Sequence, residues 1–184
     1  DEGKTGFIKA CSNGHIKVVE LFLKQQLRND IIVQQDKSEE AGFIHAYLNK
    51  REDIVEALLN LPNKDEMLNF SFQGSCKMGH YGVVELLLKQ GNSQEIISSK
   101  DQQGKNGFMK ACQTGQHKIV VLLLNNPNLD LNDKDKYGDS ALRVCINNAE
   151  VARMLLESGK LKIQDMNRVT NFSTNKDRSF QFND

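Results

Sequence analysis

Three small constellations in this chain have the residue types of reactive sites. Gly3-Lys4-Thr5 has the composition that closes a phosphate-binding loop, with a lysine for phosphate oxygens and a hydroxyl for Mg²⁺. Such a loop also needs a glycine five residues before Gly3 and a preceding strand, and the chain begins too late to show either. The equivalent triplet further on, Gly104-Lys105-Asn106, lacks the hydroxyl, so a turn followed by a helix cap is the simpler account of both. Four histidines (His15, His45, His80, His117) and four cysteines (Cys11, Cys76, Cys112, Cys145) form the second group. None stands in an H-E-x-x-H or C-x-x-C spacing. A Cys–His nucleophilic pair needs an exposed thiol beside a base, and these thiols fall at small, interior-type positions. The third group is two glycosylation sequons, Asn69-Phe70-Ser71 and Asn171-Phe172-Ser173, which matter only on a secretory route. The sequence therefore assigns no catalytic residue, no metal ligand and no cofactor, and the expected activity is not enzymatic.

The elements that carry these residues are copies of one phrase. TGFIKACSNGHIKVVELFLK, from Thr5 to Lys24, returns as NGFMKACQTGQHKIVVLLLN, from Asn106 to Asn125. One small residue marks the period: Ala10, Ala46, Ser75, Ala111 and Cys145 follow one another at steps of 36, 29, 36 and 34 residues. A recurrence of roughly 33 residues is the sign of stacked helical units that present an extended surface. Five units are read, and a sixth starts at Asp165-Met166-Asn167.

Each unit reads as a turn, a short helix, a tight corner and a second short helix. Asp101-Gln102-Gln103-Gly104 and Asp135-Lys136-Tyr137-Gly138 suit type I turns. Thr5, Asn106 and Ser140 can cap the free N–H groups of the first helices. Gly14, Gly79 and Gly115 can end them in the left-handed conformation. The second helices, Val18-Val19-Glu20-Leu21-Phe22-Leu23 and Val83-Val84-Glu85-Leu86-Leu87-Leu88, are apolar over most of their circumference, so they are expected to be covered on more than one side. Helices of about ten residues are marginal alone, and stability must come from stacking.

This grammar resembles the ankyrin repeat over residues 1–167, with first helices near 5–13, 41–49, 70–78, 106–114 and 140–148. The family phrase D-x-x-G-x-T-P-L-H-x-A-A-x-x-G-H followed by V-V-x-L-L-L recurs in register, with Gly-His at Gly14-His15 and Gly79-His80. The resemblance implies an all-α solenoid of helix-turn-helix units joined by short hairpin-like loops. It also implies a scaffold module that binds a protein partner through loop tips and first helices on the concave face. There the variable positions are Lys37, Ser38, Lys77, Met78, Gln102, Gln103, Lys105, Gln113, Thr114, Lys136, Tyr137, Asn147 and Asn148, with Leu48 aligned to a similar surface position. Met78 and Tyr137 stand out, because exposed apolar and aromatic groups supply most interface energy. The rival expectation is a regulatory or targeting segment of a larger enzyme whose catalytic domain lies elsewhere. Leu124 with Asp130-Leu131-Asn132 also resembles the setting that asparaginyl hydroxylases modify in this family; a loop-tying asparagine is the simpler reading.

Departures from the phrase carry expectations too. Gly replaces the family's Pro at Gly6 and Gly107, and Ile8 and Met109 replace its His, so the usual Thr–His network is put in doubt. In the second unit Glu39 sits at the turn glycine and Lys50-Arg51 replaces Gly-His; the fifth unit lacks two corner residues. Local distortion is expected at both.

Composition narrows the partners. Formal net charge is +0, from 24 basic and 24 acidic residues, which gives no electrostatic case for nucleic acid or an anionic membrane. No apolar run approaches a membrane span. Cys11, Cys76 and Cys112 share one unit position and read as buried free thiols. That points to the cytoplasm or another reducing compartment and to a monomer. The chain starts at Asp1 inside a unit, without Met, which suggests a piece of a longer protein. Residues 168–184 carry Val169, Phe172, Phe180 and Phe182; they are expected either to fold over the fifth unit as a cap or to fray.

Overall fold

The computed structural model describes residues 3–25 and 28–161. The segment 162–184, with the sixth-unit start and the cap-or-tail reading, lies outside the described residues. Among those described, twelve helices form in the order α1 (Gly6–Asn13), α2 (Ile16–Leu23), α3 (Arg28–Ile32), α4 (Gly42–Leu48), α5 (Glu52–Leu59), α6 (Asp65–Met78), α7 (Tyr81–Leu88), α8 (Ser93–Ser98), α9 (Gly107–Thr114), α10 (His117–Leu124), α11 (Ala141–Val144) and α12 (Ala149–Glu157). Strand structure among these residues is limited to two isolated antiparallel bridges, Gln35–Ala41 and Lys100–Asn106. The architecture is thus an all-α solenoid.

First helices stack on first helices. α1 packs on α4, α4 on α6, α6 on α9 and α9 on α11, and each is backed by its own second helix where α2, α5, α7 and α10 follow. One core runs the length of the stack, through Phe7, Phe43, Phe72 and Phe108 at equivalent positions, all buried. Leu142 takes that place in the fifth unit. Such a core belongs to the interfaces, so no unit owns its stability.

Capping explains where the helices start and stop. Thr5 Oγ1 accepts from Ile8 N at 3.3 Å and Asn106 Oδ1 from Met109 N at 2.9 Å. Ser140 holds the same place without a side-chain bond. Gly14, Gly79 and Gly115 close α1, α6 and α9 with φ of 81°, 85° and 73°. In the second unit the left-handed geometry survives without glycine, at Glu39 (φ 63°) and Lys50 (φ 56°). The backbone keeps the family's turn there and the side chains bear a conformational cost of about 1–2 kcal/mol each. At the fifth unit the shortened corner leaves α11 with four residues.

Three features add to the sequence reading. α6 begins at Asp65, so the third unit has two extra turns of first helix in place of a turn. Asp65 and Glu66 sit in its first turn, where acidic groups suit the helix N-terminus, and Met67 and Leu68 are buried. The insertions fold as α3 and α8, which bury Ile32, Ile96 and Ile97. Finally, α2 is covered by α1, α3 and α5, on more than one side as expected, and still keeps one edge open. Val18 is 42% exposed, whereas its equivalents Ile54, Val83, Ile119 and Val151 are at most 1% exposed. α2 belongs to the first described unit, so no described unit stands before it. On α10, Val121 is also exposed, because the second helices turn one edge to solvent.

Candidate protein-binding face

Three aspartates build the loops that border the first helices. Asp36 Oδ1 accepts from the N–H groups of Ser38 (2.9 Å) and Glu40 (3.1 Å). Asp101 Oδ1 does the same for Gln103 and Lys105, at 2.8 and 2.9 Å. Asp135 Oδ1 does so for Tyr137 and Asp139, both at 2.9 Å. Each carboxylate thus replaces a hairpin's missing ladder bonds and fixes its tip. Lys136 N donates to the Gln103 carbonyl at 2.9 Å and ties the second tip to the third.

On these tips Lys37, Ser38, Gln102, Gln103, Lys136 and Tyr137 are exposed. Tyr137 is the most open large apolar side chain described, at 73%. At the ends of the first helices Met78, Gln113 and Thr114 are exposed, as is Asn147 in the corner of the fifth unit. The remaining positions are half-buried and already engaged. Lys77 Nζ meets Glu39 Oε1 at 2.6 Å. Lys105 Nζ donates to Gln113 Oε1 at 3.0 Å. Asn148 caps α12 through Val151 N at 3.2 Å.

The inter-unit polar ties run through the corners. Arg51 Nε donates to the Ser12 carbonyl at 3.2 Å; Gln116 Nε2 and Thr114 Oγ1 donate to the Lys77 carbonyl at 3.1 and 2.9 Å. These bonds connect units whose Thr–His pairs are missing. Asn132 does tie its loop, donating through N and Nδ2 to Asp130 Oδ1 at 2.8 and 3.2 Å.

Two clusters escaped the sequence reading. Glu39 bridges Lys77 and Lys110 (3.7 Å), and Lys110 reaches Asp101 at 3.1 Å. The second unit's loop therefore reaches the fourth unit across the third. Gly74 permits this: a Cβ there would stand 2.5 Å from the Glu39 carbonyl oxygen. The other cluster joins Asp36, Glu40, His45 and His80. His45 Nε2 lies 2.8 Å from Asp36 Oδ2 and 3.6 Å from Glu40 Oε2, and Glu40 Oε1 meets His80 Nε2. Asp36, Glu40 and His45 are each at least nine-tenths buried. The D-x-x-x-E-x-x-x-x-H spacing was visible; what hid it was that His80 arrives from the next unit.

Electrostatics follow from this geometry. Burial pushes the Asp36 carboxyl up, but the Glu40 N–H, His45 and the Ser38 N–H outweigh it and hold the group below its ordinary value. Asp101 is lowered in the same way: burial opposes, and the Lys105 N–H, Lys110 and the Gln103 N–H prevail. All four thiols are free and buried. Burial raises Cys11 to about 12 and Cys145 to about 11, and it raises Cys76 and Cys112 as well. Such thiols are poor nucleophiles.

A stack of helix pairs with Asp-fixed loops along one border and corner-to-corner ties defines an ankyrin-type solenoid. The family model for ankyrin repeats (3 copies) matches residues 72–167, a little over half of the chain, and the chain belongs to the ankyrin-repeat family. Comparison with curated proteins gives no match. Members of this family are generally protein–protein interaction modules and typically non-catalytic. No helix among the described residues is long and apolar enough to cross a membrane.

Proposed function

We propose that this chain is a protein-binding module whose partner docks on the loop tips and the ends of the first helices. The supporting observation is Tyr137: the residue is 73% exposed while its own backbone N–H is held by Asp135. A large aromatic group on a fixed tip offers contact area at little ordering cost. Met78 (42% exposed) and Leu48 add apolar anchors on first-helix ends, and Lys37, Ser38, Gln102, Gln103, Lys105, Gln113, Lys136 and Asn147 supply a polar surround. We take the partner to be a protein rather than nucleic acid, in keeping with the formal charge of +0. The module works as a monomer in a reducing compartment, and its four free thiols favour that setting.

The test uses a photo-crosslinking residue at position 78 or 137, with position 121 on the outer helix α10 as the contrast. Adducts are expected from 78 and 137. The double change Met78→Asp with Tyr137→Ala weakens binding of the captured partner by at least ~2 kcal/mol, about thirtyfold, with little change in folding stability. If affinity is untouched while Val121→Asp abolishes it, the docking face is misassigned.

A further inference from the structure

We propose that Asp36, Glu40 and His45, with His80 from the following unit, form a binding site for one divalent ion of the zinc class, which clamps the second unit to the third. The donor atoms of the first three residues lie within 4.8 Å of one another. Two of their separations, 2.8 and 3.6 Å, bracket the roughly 3.3 Å edge of a tetrahedron with bonds near 2.0–2.1 Å. A fourth donor stands beside this group rather than inside it: His80 Nε2 meets the second oxygen of Glu40.

The surroundings preorganise the site. Asp36 Oδ1 is committed to two backbone N–H groups, so Oδ2 is left for the centre. His45 stands on α4, a packed first helix, and His80 is the N-cap residue of α7. Nearby cations are engaged elsewhere: Lys77 with Glu39, and Lys110 with Glu39 and Asp101. Two buried carboxylates facing imidazole need a positive charge between them. An ion bound there supplies that charge, replaces the His45 Nε2–Asp36 Oδ2 hydrogen bond and coordinates through the imidazole nitrogen without its proton. Imidazole with carboxylate favours zinc and its first-row neighbours over Ca²⁺ or Mg²⁺, which take all-oxygen sets.

The fourth unit shows what the same framework does without a site. There Asp101 is retained, Lys105 stands at the place of Glu40, Lys110 at that of His45 and, from the following unit, Asn148 at that of His80. The Lys110–Asp101 pair, at 3.1 Å, stands there in place of the His45–Asp36 contact. Three of the four donor positions have therefore changed together at one junction.

That comparison supplies the decisive variant. His45→Lys keeps an ion pair with Asp36, as in the fourth unit, and removes one ligand. The untagged chain is titrated with Co²⁺ and with Zn²⁺. One equivalent of Co²⁺ is expected to give visible d–d absorption of tetrahedral intensity with no thiolate charge-transfer band. Zn²⁺ is expected to displace it and to raise the melting temperature in a concentration-dependent way. His45→Lys and Glu40→Gln lose at least about 100-fold in affinity, and His80→Gln about 10-fold or more, while far-UV circular dichroism stays unchanged. The proposal is overturned if the parent shows no stoichiometric Co²⁺ band or a thiolate band. It is equally overturned if folded His45→Lys binds as tightly as the parent.

Discussion

The glycine that stands where the family has proline provides the sharpest test of how these units fit together. Proline at the first helical position fixes φ and removes an N–H that has no partner anyway. The preceding residues are already extended, Thr5 at φ −73°, ψ 168° and Asn106 at φ −86°, ψ 172°, as a following proline requires. From backbone geometry alone, Gly6→Pro and Gly107→Pro should each stabilise by about 0.4–1 kcal/mol. Packing separates them. A Cβ on Gly107 would lie 2.6 and 2.8 Å from ring carbons of Phe72 and 3.0 Å from Cys76 Sγ. Both neighbours are fully buried. Against a normal contact of about 3.5 Å the ring must retreat by roughly 0.9 Å, and forced repacking of a filled core costs about 1–3 kcal/mol. Gly42 is in the same position against Phe7 and Cys11, at 2.9 and 3.0 Å. Gly6 meets only Phe22 Cζ, at 3.5 Å, an ordinary contact.

The expectation is therefore opposite in sign for two chemically identical changes. Gly107→Pro lowers stability by about 1–2 kcal/mol net, and the melting temperature by about 2–8 °C for a chain of this size. Gly6→Pro leaves stability unchanged or raises it by up to about 1 kcal/mol. Urea unfolding followed by circular dichroism measures both. If Gly107→Pro is as stable as the parent, or if Gly6→Pro loses as much, glycine is not there to admit the preceding unit's ring.

Two further outcomes follow from the ionisable groups. Asp101 has its folded-state pKa lowered, so its stabilising share is present above the unfolded value near pH 4 and is lost as pH falls below it; Asp101→Asn should be less stable at neutral pH and flatter in urea midpoint between pH 5 and 2, and parallel curves would show that the Lys110 pair contributes nothing. The thiols have raised folded-state values, Cys11 to about 12 from 9.0, so stability is complete below about pH 9 and falls as the unfolded chain ionises above it; at pH 8 they should react slowly with a disulfide reagent when folded and quickly in urea, whereas equal rates would mean exposed thiols.

What the sequence disclosed and what it hid divide along one physical line. Unit grammar is local: the turn aspartates, Thr5, Asn106 and the left-handed glycines each act within a few residues, so α1, α9 and their corners were readable from spacing. α6 was only partly readable, because Asp65–Leu68 lack a turn signal and helix extension there depends on burying Met67 and Leu68 against neighbours. The candidate interface was legible as positions but not as availability. Lys77, Lys105, Thr114 and Asn148 look free in sequence and are bonded in the fold, leaving Tyr137, Leu48 and Met78 as exposed apolar anchors. The Gly slots and the arrival of His80 beside Glu40 were invisible for one shared reason. Both are properties of the space between units, where a residue's neighbour stands about one repeat away. Replacing proline by glycine looks like a loss of preorganisation when one unit is considered alone. With Phe72 seated on Gly107 it is a gain in contact between units. In a solenoid whose stability lives at its interfaces, the second effect is the larger, and the two prolines compared above would measure by how much.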